Sequence, residues 1–427
     1  MFDKLSKIRF KGDGIIWMVF FFLCIVSVLE VYSASSALTY KGGSYWAPVV
    51  YHTILLLIGV GFMVLTMNIK CKYFKLVTPF ALLFSLVMLI AVLFMGRING
   101  AARWFSLFGI QFQPSELAKG AVILAVAQIL SAMQTVDGAD RRAFKYILYV
   151  SVPVMMLIAV ENLSTAALLF LTVAIMMFIG RVPRQQIGRM FGFLAICGVV
   201  LFATIWIMGS APKESEAGDE RLSMTEQVDA VETAQPGALA KVFHRFDTWK
   251  ARIQKFLSHE DLRPEDIDLD KDAQVAHANI AIASSNVVGK GPGNSVERDF
   301  LSQAFSDFIY AIIIEEMGIW GAAGVCLLYI ILLFRTATIA NRCANAFPAL
   351  LIMGIALLLV TQAMFNMCVA VGLAPVTGQP LPLISKGGTS TIVNCVYMGV
   401  ILSVSYTAKH KDDVSEAKKP RALKATA

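Results

Sequence analysis

The chain has 427 residues, of which 57% are hydrophobic and 16% charged, and its mean hydropathy is +0.66. Soluble domains carry about 25% charged residues, so this composition excludes a string of soluble domains and predicts a membrane protein. The formal net charge of +7 suits a protein surrounded by anionic lipid headgroups, and we expect no nucleic-acid partner.

Apolar segments long enough to cross a membrane recur along the chain. A spanning helix needs about 20 mostly apolar residues, because it must cross about 30 Å of hydrocarbon. The segments that fit this length are 14–34, 48–67, 75–95, 114–133, 145–161, 163–180, 189–209, 307–334, 348–371 and 383–407. The predicted fold class is therefore an all-α membrane protein, a polytopic bundle of about ten transmembrane helices.

The basic residues predict the orientation of this bundle, since lysine and arginine concentrate on the cytoplasmic side. With a cytoplasmic N-terminus, the short outside loops and helix ends hold only Lys41, Arg97, Arg103 and Lys386. Both termini are thus predicted to be cytoplasmic in a multi-pass protein of the cytoplasmic membrane. The predicted order is a cytoplasmic N-terminus (1–13), spans one to seven (14–209), a large extracytoplasmic loop (210–306), spans eight to ten (307–407) and a cytoplasmic tail (408–427).

The first polar cluster precedes and opens the fourth span. Residues 100–104 read GAARW and residues 113–116 read QPSE, and Pro114 suits the first turn of a helix. Glu116 and Lys119 are three residues apart and can pair on one helix face. One interpretation is a structural ion pair. The other is a functional site, because ionisable groups near a span are costly.

A second cluster, residues 161–165 (ENLST), predicts a tight turn with helix-capping side chains. The third begins with a glycine-rich segment, residues 289–295 (GKGPGNS), and continues into the eighth span with Asp307, Glu315 and Glu316. Its backbone N–H groups could bind phosphate, or it could be an ordinary loop. Asp307 could be only a helix N-cap, whereas Glu315 and Glu316 require a partner or a water-lined cavity.

The fourth cluster opens the tenth span. It contains Ser385, Lys386, Gly387, Gly388 and Ser390. It could be simply an unwound helix start, which membranes tolerate only where protein or a watery cavity surrounds it. The predicted topology places all four clusters on the extracytoplasmic side.

The order and spacing of these clusters resemble the SEDS family (shape, elongation, division and sporulation) over nearly the whole chain. The resemblance rests on GAARW, QPSE and Lys119, on GKGPGNS followed by DFIYA at 307–311 and EEMG at 315–318, and on PLIS at 382–385 with GGTS at 387–390. The chain departs from the family where residues 160–166 read VENLSTA instead of a QPDLGTA-like run, and where Lys386 replaces the usual tyrosine. The segment Gly293–Ser295 favours the division branch over the elongation branch.

The resemblance implies a peptidoglycan glycosyltransferase that polymerises lipid II at the outer face of the cytoplasmic membrane. It implies Asp307 as the general base. The residues it implies for binding substrate are Ser115, Glu116, Lys119, Arg103, Lys290, Asn294, Ser295, Ser385, Lys386, Gly387, Gly388 and Ser390. A divalent cation (Mg or Mn) could assist, with Glu315 and Glu316 as structural residues or ligands. A class B penicillin-binding protein, which is a transpeptidase, and other division proteins are the implied partners.

Two other functions compete with this prediction. A lipid II flippase would use Lys119, Glu315 and Glu316 as a polar path, but spans one, three and nine are almost without polar residues. A non-catalytic scaffold that recruits division proteins would leave the polar clusters unexplained. Within the family, the elongation paralogue is the alternative to the division enzyme.

Overall fold

The computed structural model describes residues 11–34, 46–94, 105–107, 110–208, 273–301 and 306–418. Its helices are α1 (Gly14–Ala34), α2 (Trp46–Met67), α3 (Cys71–Phe94), α4 (Pro114–Ala132), α5 (Arg141–Glu161), α6 (Leu163–Ile179), α7 (Arg184–Met208), α8 (Ala273–Ser284), α9 (Ile309–Arg342), α10 (Ala346–Ala370) and α11 (Thr389–Lys418). Two short antiparallel hairpins complete it, β1 (Phe105–Leu107) with β2 (Ile110–Phe112) and β3 (Gln134–Thr135) with β4 (Gly138–Ala139).

Eight helices of the described chain are long and apolar enough to cross a membrane, namely α1 to α5 and α9 to α11. They match predicted spans one to five and eight to ten, which supports a polytopic helical membrane protein. The helix in predicted span six, α6, is apolar but has only 17 residues, and α7 is not among the eight. The count of ten spans therefore stays a prediction.

The chain divides into two compact units. One comprises Met1–Ile187 with Asp268–Ala427, and the other comprises Gly188–Ile267. The described part of the second unit is residues 188–208 of α7, with exposed apolar side chains such as Phe193 and Val199. Most of the predicted loop 210–306 lies outside the described residues, apart from 273–301, which contains α8.

The centre of the first unit is formed by α4, α10 and α11. About two thirds or more of their apolar windows is buried (67%, 72% and 72%), against 22% for α3. Helix α3 leaves Leu76, Phe80 and Leu83 largely exposed, as suits a helix at the lipid-facing rim. A polar side chain on α4 or α10 must consequently find its partner inside the protein.

Helix α9 is broken at Gly318, where φ is 67° and ψ is −169°, a conformation essentially restricted to glycine. The break leaves the carbonyls of Glu315 and Glu316 without helical donors. They accept instead from the N–H groups of Lys290 (2.9 Å) and Gly291 (2.8 Å). Gly289 packs so closely here that a Cβ on it would lie 2.3 Å from the Glu316 carbonyl oxygen.

Helix α11 begins later than predicted span ten, whose end at 407 lies one residue from the end of the apolar span Thr389–Ala408. Helix α11 begins at Thr389 rather than 383, because Leu383 and Gly388 have positive φ angles of 68° and 55° that interrupt a helix. The apolar side chains of Leu383 and Ile384 raise the local hydropathy without forming a helix. The helix itself continues beyond this span to Lys418.

Because α9 is broken at Gly318, replacing each of two glycines of this helix by alanine should change the free energy of unfolding by different amounts. Gly318→Ala should lower the free energy of unfolding by about 2 kcal/mol or more, because it adds strain and a Cβ 2.4 Å from the Val287 carbonyl oxygen. The matched control is Gly324→Ala, whose added Cβ meets nothing within 4 Å. It should leave stability unchanged or raise it by about 0.5–1 kcal/mol. Thermal unfolding in detergent measures both, and equal effects would contradict the assigned break.

Candidate active site

Lys119 is enclosed between α4 and α10. Its ammonium group donates to Glu116 Oε1 (2.8 Å) and to Gln362 Oε1 (2.7 Å). Lys119 and Glu116 are 1% and 2% exposed, and Ser115 beside them is also buried. The predicted pairing of Glu116 with Lys119 is confirmed. The ion pair is buried inside the bundle, so the ammonium group does not face solvent.

Two amides on α10 connect this pair with the segment before α11. Gln362 donates to the Pro380 carbonyl oxygen (3.1 Å). One helical turn later, Asn366 donates to the carbonyl oxygens of Gln379 (2.7 Å) and Asp307 (2.9 Å). Because residues four apart share a helix face, α10 holds Lys119 and the backbone of Asp307 in one polar network.

Asp307 lies directly before α9 and is partly exposed. Its carboxylate Oδ1 accepts from the Ser306 hydroxyl (2.9 Å), and Ser385 donates to the Ser306 carbonyl oxygen (2.6 Å). The N-cap position of α9 is Phe308, which makes no side-chain capping bond, so Asp307 lies one residue before the N-cap position. The backbone around Asp307 is fixed from two sides, and the residue is partly exposed.

The segment before α11 is an ordered turn rather than a helix. Ser385 Oγ accepts from Leu381 N (2.8 Å), and Ser390 bonds the Gly387 carbonyl oxygen through both its N–H (3.0 Å) and its hydroxyl (2.8 Å). Lys386 is partly exposed, and burial lowers the pKa of its ammonium group. The Gly387–Gly388 pair thus lies between two hydrogen-bonded serines at the edge of the Asp307 network.

Glu315 is fully buried and holds the glycine-rich segment. Its Oε1 accepts from Lys290 Nζ (2.6 Å) and from Val296 N (3.1 Å), and Ser295 donates to its other oxygen. Lys290 also donates to Ser284 Oγ (2.8 Å). The ammonium group of Lys290 is therefore the counter-ion of Glu315.

Glu316 binds the same segment from the other side and joins it to α1. It accepts from Ser33 Oγ and from the N–H groups of Gly293 (2.9 Å) and Ser295 (3.3 Å). Arg298 lies 3.7 Å from Glu316 and donates to Ser33 Oγ (2.8 Å). All four carboxylate oxygens of Glu315 and Glu316 thus accept protein donors, an arrangement that we call the carboxylate clamp.

The other predicted site residues are placed as follows. Asn294 is exposed and donates to the Lys290 carbonyl oxygen (3.0 Å). Arg103 lies outside the described residues. In the second cluster, Asn162 caps α6 by accepting from Thr165 N (3.2 Å), which confirms the capping prediction.

Sequence reasoning missed the residues that connect these groups, namely Gln362, Asn366, Gln379, Arg298 and Ser33. Two of them had a detectable signal. Gln362 and Asn366 are amides four residues apart in a largely apolar helix, a pattern that marks an inward-facing polar stripe and corrects the expectation that span nine is almost without polar residues. Arg298 and Ser33 gave no comparable signal, because their contacts with Glu316 join distant parts of the chain.

A third carboxyl group, Glu30 of α1, is also fully buried near the clamp. Among the described residues, neither of its oxygens has a hydrogen-bond partner. The two clamp carboxylates have the cations Lys290 and Arg298 beside them, whereas no cation of the described segments forms an ion pair with Glu30. Glu30 therefore costs stability that Glu316 does not.

This difference predicts opposite results for two isosteric changes. Glu30→Gln should leave the free energy of unfolding unchanged or raise it, because no bond is lost. Glu316→Gln should lower it by about 2 kcal/mol, since a buried acceptor of several donors becomes partly a donor. Unfolding of the purified variants measures both, and a larger loss for Glu30→Gln would contradict the assignment.

The comparisons with known proteins agree with this architecture. The sequence profile of the cell cycle proteins FtsW, RodA and SpoVE matches residues 13–217 and 222–410. The probable peptidoglycan glycosyltransferase FtsW of Halomonas elongata is 28% identical, with 98% of this chain and 96% of that protein covered. The peptidoglycan glycosyltransferase MrdB of Escherichia coli K12 is 27% identical, with 81% and 82% covered.

Two solved structures share the fold. A chain from a peptidoglycan synthase complex that coordinates polymerization and crosslinking has a TM-score of 0.66 at 22% identity, covering 93% of this chain and 98% of that one. The crystal structure of RodA from Thermus thermophilus has a TM-score of 0.60 at 21% identity, covering 93% and 97%. The sequence profile matches nearly the whole chain and the resemblance read from the motifs is confirmed: the chain belongs to the FtsW/RodA/SpoVE family of cell cycle proteins, the SEDS family.

Proposed function

We propose that this protein is a peptidoglycan glycosyltransferase of the division branch, which polymerises lipid II at the outer face of the cytoplasmic membrane. The proposal draws on relatives named as peptidoglycan glycosyltransferases. The observation that carries it is the partly exposed residue Asp307, whose carboxylate accepts from Ser306 and whose backbone is anchored by Asn366 next to Ser385. Both termini are cytoplasmic in this proposal, and Asp307 is on the opposite side.

In the proposed reaction, a sugar hydroxyl of the acceptor attacks the anomeric carbon of the donor. A new glycosidic C–O bond forms, and the bond from that carbon to the polyprenyl pyrophosphate breaks. Asp307 takes the proton of the attacking hydroxyl, and the pyrophosphate leaves with the bonding electron pair. General-base help of this kind contributes roughly 10²–10⁴ in rate.

The leaving pyrophosphate gains negative charge, which nearby cations stabilise. Four basic residues are candidates. Lys119 and Lys290 already pair with Glu116 and Glu315, so we assign them to holding the site together. We assign contact with the pyrophosphate to Lys386, at the edge of the Asp307 network, and to Arg103 from the family motif. Ser385, Gly387, Gly388 and Ser390 then shape the turn that presents Lys386, while Ser115, Asn294 and Ser295 support its surroundings.

A divalent cation at Glu315 and Glu316 does not fit this arrangement. Their four oxygens accept N–H and O–H donors, whereas metal-ligand oxygens must face the ion with lone pairs. We therefore derive no catalytic step through a metal at the carboxylate clamp. In this proposal the clamp positions the glycine-rich segment beside the start of α9.

The proposed partner is a class B penicillin-binding protein, together with other division proteins. This part of the proposal is supported by the similar chain that belongs to a complex coordinating polymerization and crosslinking. The alternatives remain the elongation paralogue, since MrdB of Escherichia coli is also similar, and a lipid II flippase. A flippase would move labelled lipid II without forming polymer, so the same purified protein distinguishes the two activities.

Replacing the proposed base should slow polymerisation strongly. Asp307→Asn keeps the size of the side chain but cannot accept the proton, so we expect polymer formation from lipid II to fall about 10²–10⁴-fold. The matched control is Asp137→Asn, at an exposed position of the β3–β4 turn, which should polymerise at the wild-type rate. Gel analysis of labelled lipid II, with the partner transpeptidase present, measures both. Wild-type activity in Asp307→Asn would disprove the mechanism.

The lowered pKa of Lys386 predicts a pH effect. Because burial lowers this pKa, Lys386 loses its charge at a lower pH than an ordinary lysine. If its charge stabilises the pyrophosphate, the alkaline decline in rate should move to higher pH in Lys386→Arg, since arginine stays protonated. Initial polymerisation rates across pH 7–10 test this, and an unchanged alkaline decline would rule out the role of Lys386.

A further inference from the structure

A large cavity lies at the end of the bundle opposite Asp307. It is bordered by the chain before α1, the α2–α3 connection, the end of α4, the α9–α10 connection and the last membrane turns of α11. Asp307 precedes α9, whereas Ala344 and Asn345 in the cavity wall follow it. The volume of about 1460 Å³ exceeds the roughly 300–1,000 Å³ of ordinary small-molecule pockets.

The charge of the cavity has one sign. Four lysines line it, Lys11, Lys70, Lys72 and Lys75, and no acidic side chain does so within the described part of the chain. The nearby Asp13 is bound by Arg335 (2.6 Å). Burial opposes ionisation of Asp13, but Arg335 outweighs it and lowers the carboxyl pKa. Asp13 thus has its own counter-ion and does not neutralise the lysines.

The cavity walls are held in place by specific contacts. Lys11 donates to Asn68 (2.7 Å), and Ser403 of α11 donates to the Ile69 carbonyl oxygen (2.6 Å). Lys75 lies over the Phe347 ring at 4.8 Å. The α2–α3 connection is therefore fixed to its neighbours, and the cavity combines these cations with an apolar lining of Met67, Ile69, Phe347 and Pro348.

We propose that this cavity binds the headgroup of an anionic phospholipid, with the phosphate among Lys70, Lys72 and Lys75 and the first part of the acyl chains against Met67 and Phe347. Lysine is a common phosphate-binding residue, and basic pockets between membrane helices on the cytoplasmic side bind anionic lipids. The apolar lining and the position at the ends of membrane helices favour a lipid over a soluble acidic peptide. The site is separate from the proposed reaction, which takes place at the opposite end.

The test compares how much phosphatidylglycerol and how much phosphatidylcholine, with identical acyl chains, bind to the full-length protein in detergent. Native mass spectrometry measures the amount of each lipid bound. Wild type should retain phosphatidylglycerol with at least about a ten-fold preference. The triple variant Lys70→Gln/Lys72→Gln/Lys75→Gln should lose that preference. The triple variant Lys70→Arg/Lys72→Arg/Lys75→Arg keeps the charges and should retain it, which separates loss of charge from loss of fold.

The matched control is the triple variant Arg141→Gln/Arg142→Gln/Lys145→Gln. It removes three basic residues at the start of α5, which lie at the same end of the bundle but outside the cavity lining. This control should keep the lipid preference, and an equal loss would mean that the lysines only contribute to general charge. Competition by inorganic phosphate at the same concentration as the lipid, or tighter binding of a poly-glutamate peptide, would also overturn the proposal. Absence of any lipid preference in wild type would do the same.

Discussion

Two adjacent carboxylates, Glu315 and Glu316, are buried in α9 just before Gly318 breaks it. Neither can remain charged in a hydrophobic bundle without donors. The segment from Lys290 to Arg298 supplies those donors through its side chains and backbone N–H groups, and it also bonds the two carbonyl groups that the break exposes. The path of the chain into α9, and hence the place of Asp307 at its start, depends on this requirement.

The same requirement, that buried charges need partners, determines the contacts of Lys119 on the other side of the candidate site. Lys119 is balanced by Glu116 and Gln362, and the α10 amides Gln362 and Asn366 then bond the backbone on either side of the site. Most of the charged groups in this region therefore hold other parts of the protein. The charged residues of the motifs therefore fall into two groups, the positioning residues such as Lys119 and Lys290, and the residues proposed to contact substrate, Asp307 and Lys386.

Composition and spacing predicted the class of fold and several local features correctly. Long apolar segments located eight helices apolar enough to cross a membrane, helical geometry predicted the Glu116–Lys119 pair, and residue type predicted capping side chains within 161–165. Hydropathy could not locate the break at Gly318 or the start of α11, because it measures side-chain polarity and not backbone conformation. The partners of Glu316 were also beyond sequence reasoning, since Ser33 and Arg298 lie 283 and 18 positions away and meet only in the folded chain.

The pH dependence of single-turnover polymerisation decides whether Asp307 acts as the base. The wild-type rate should fall as acid protonates the carboxylate, tenfold per pH unit at the low end. The residual rate of Asp307→Asn should lack this acidic decline. The same acidic decline in both proteins would assign the base to another group.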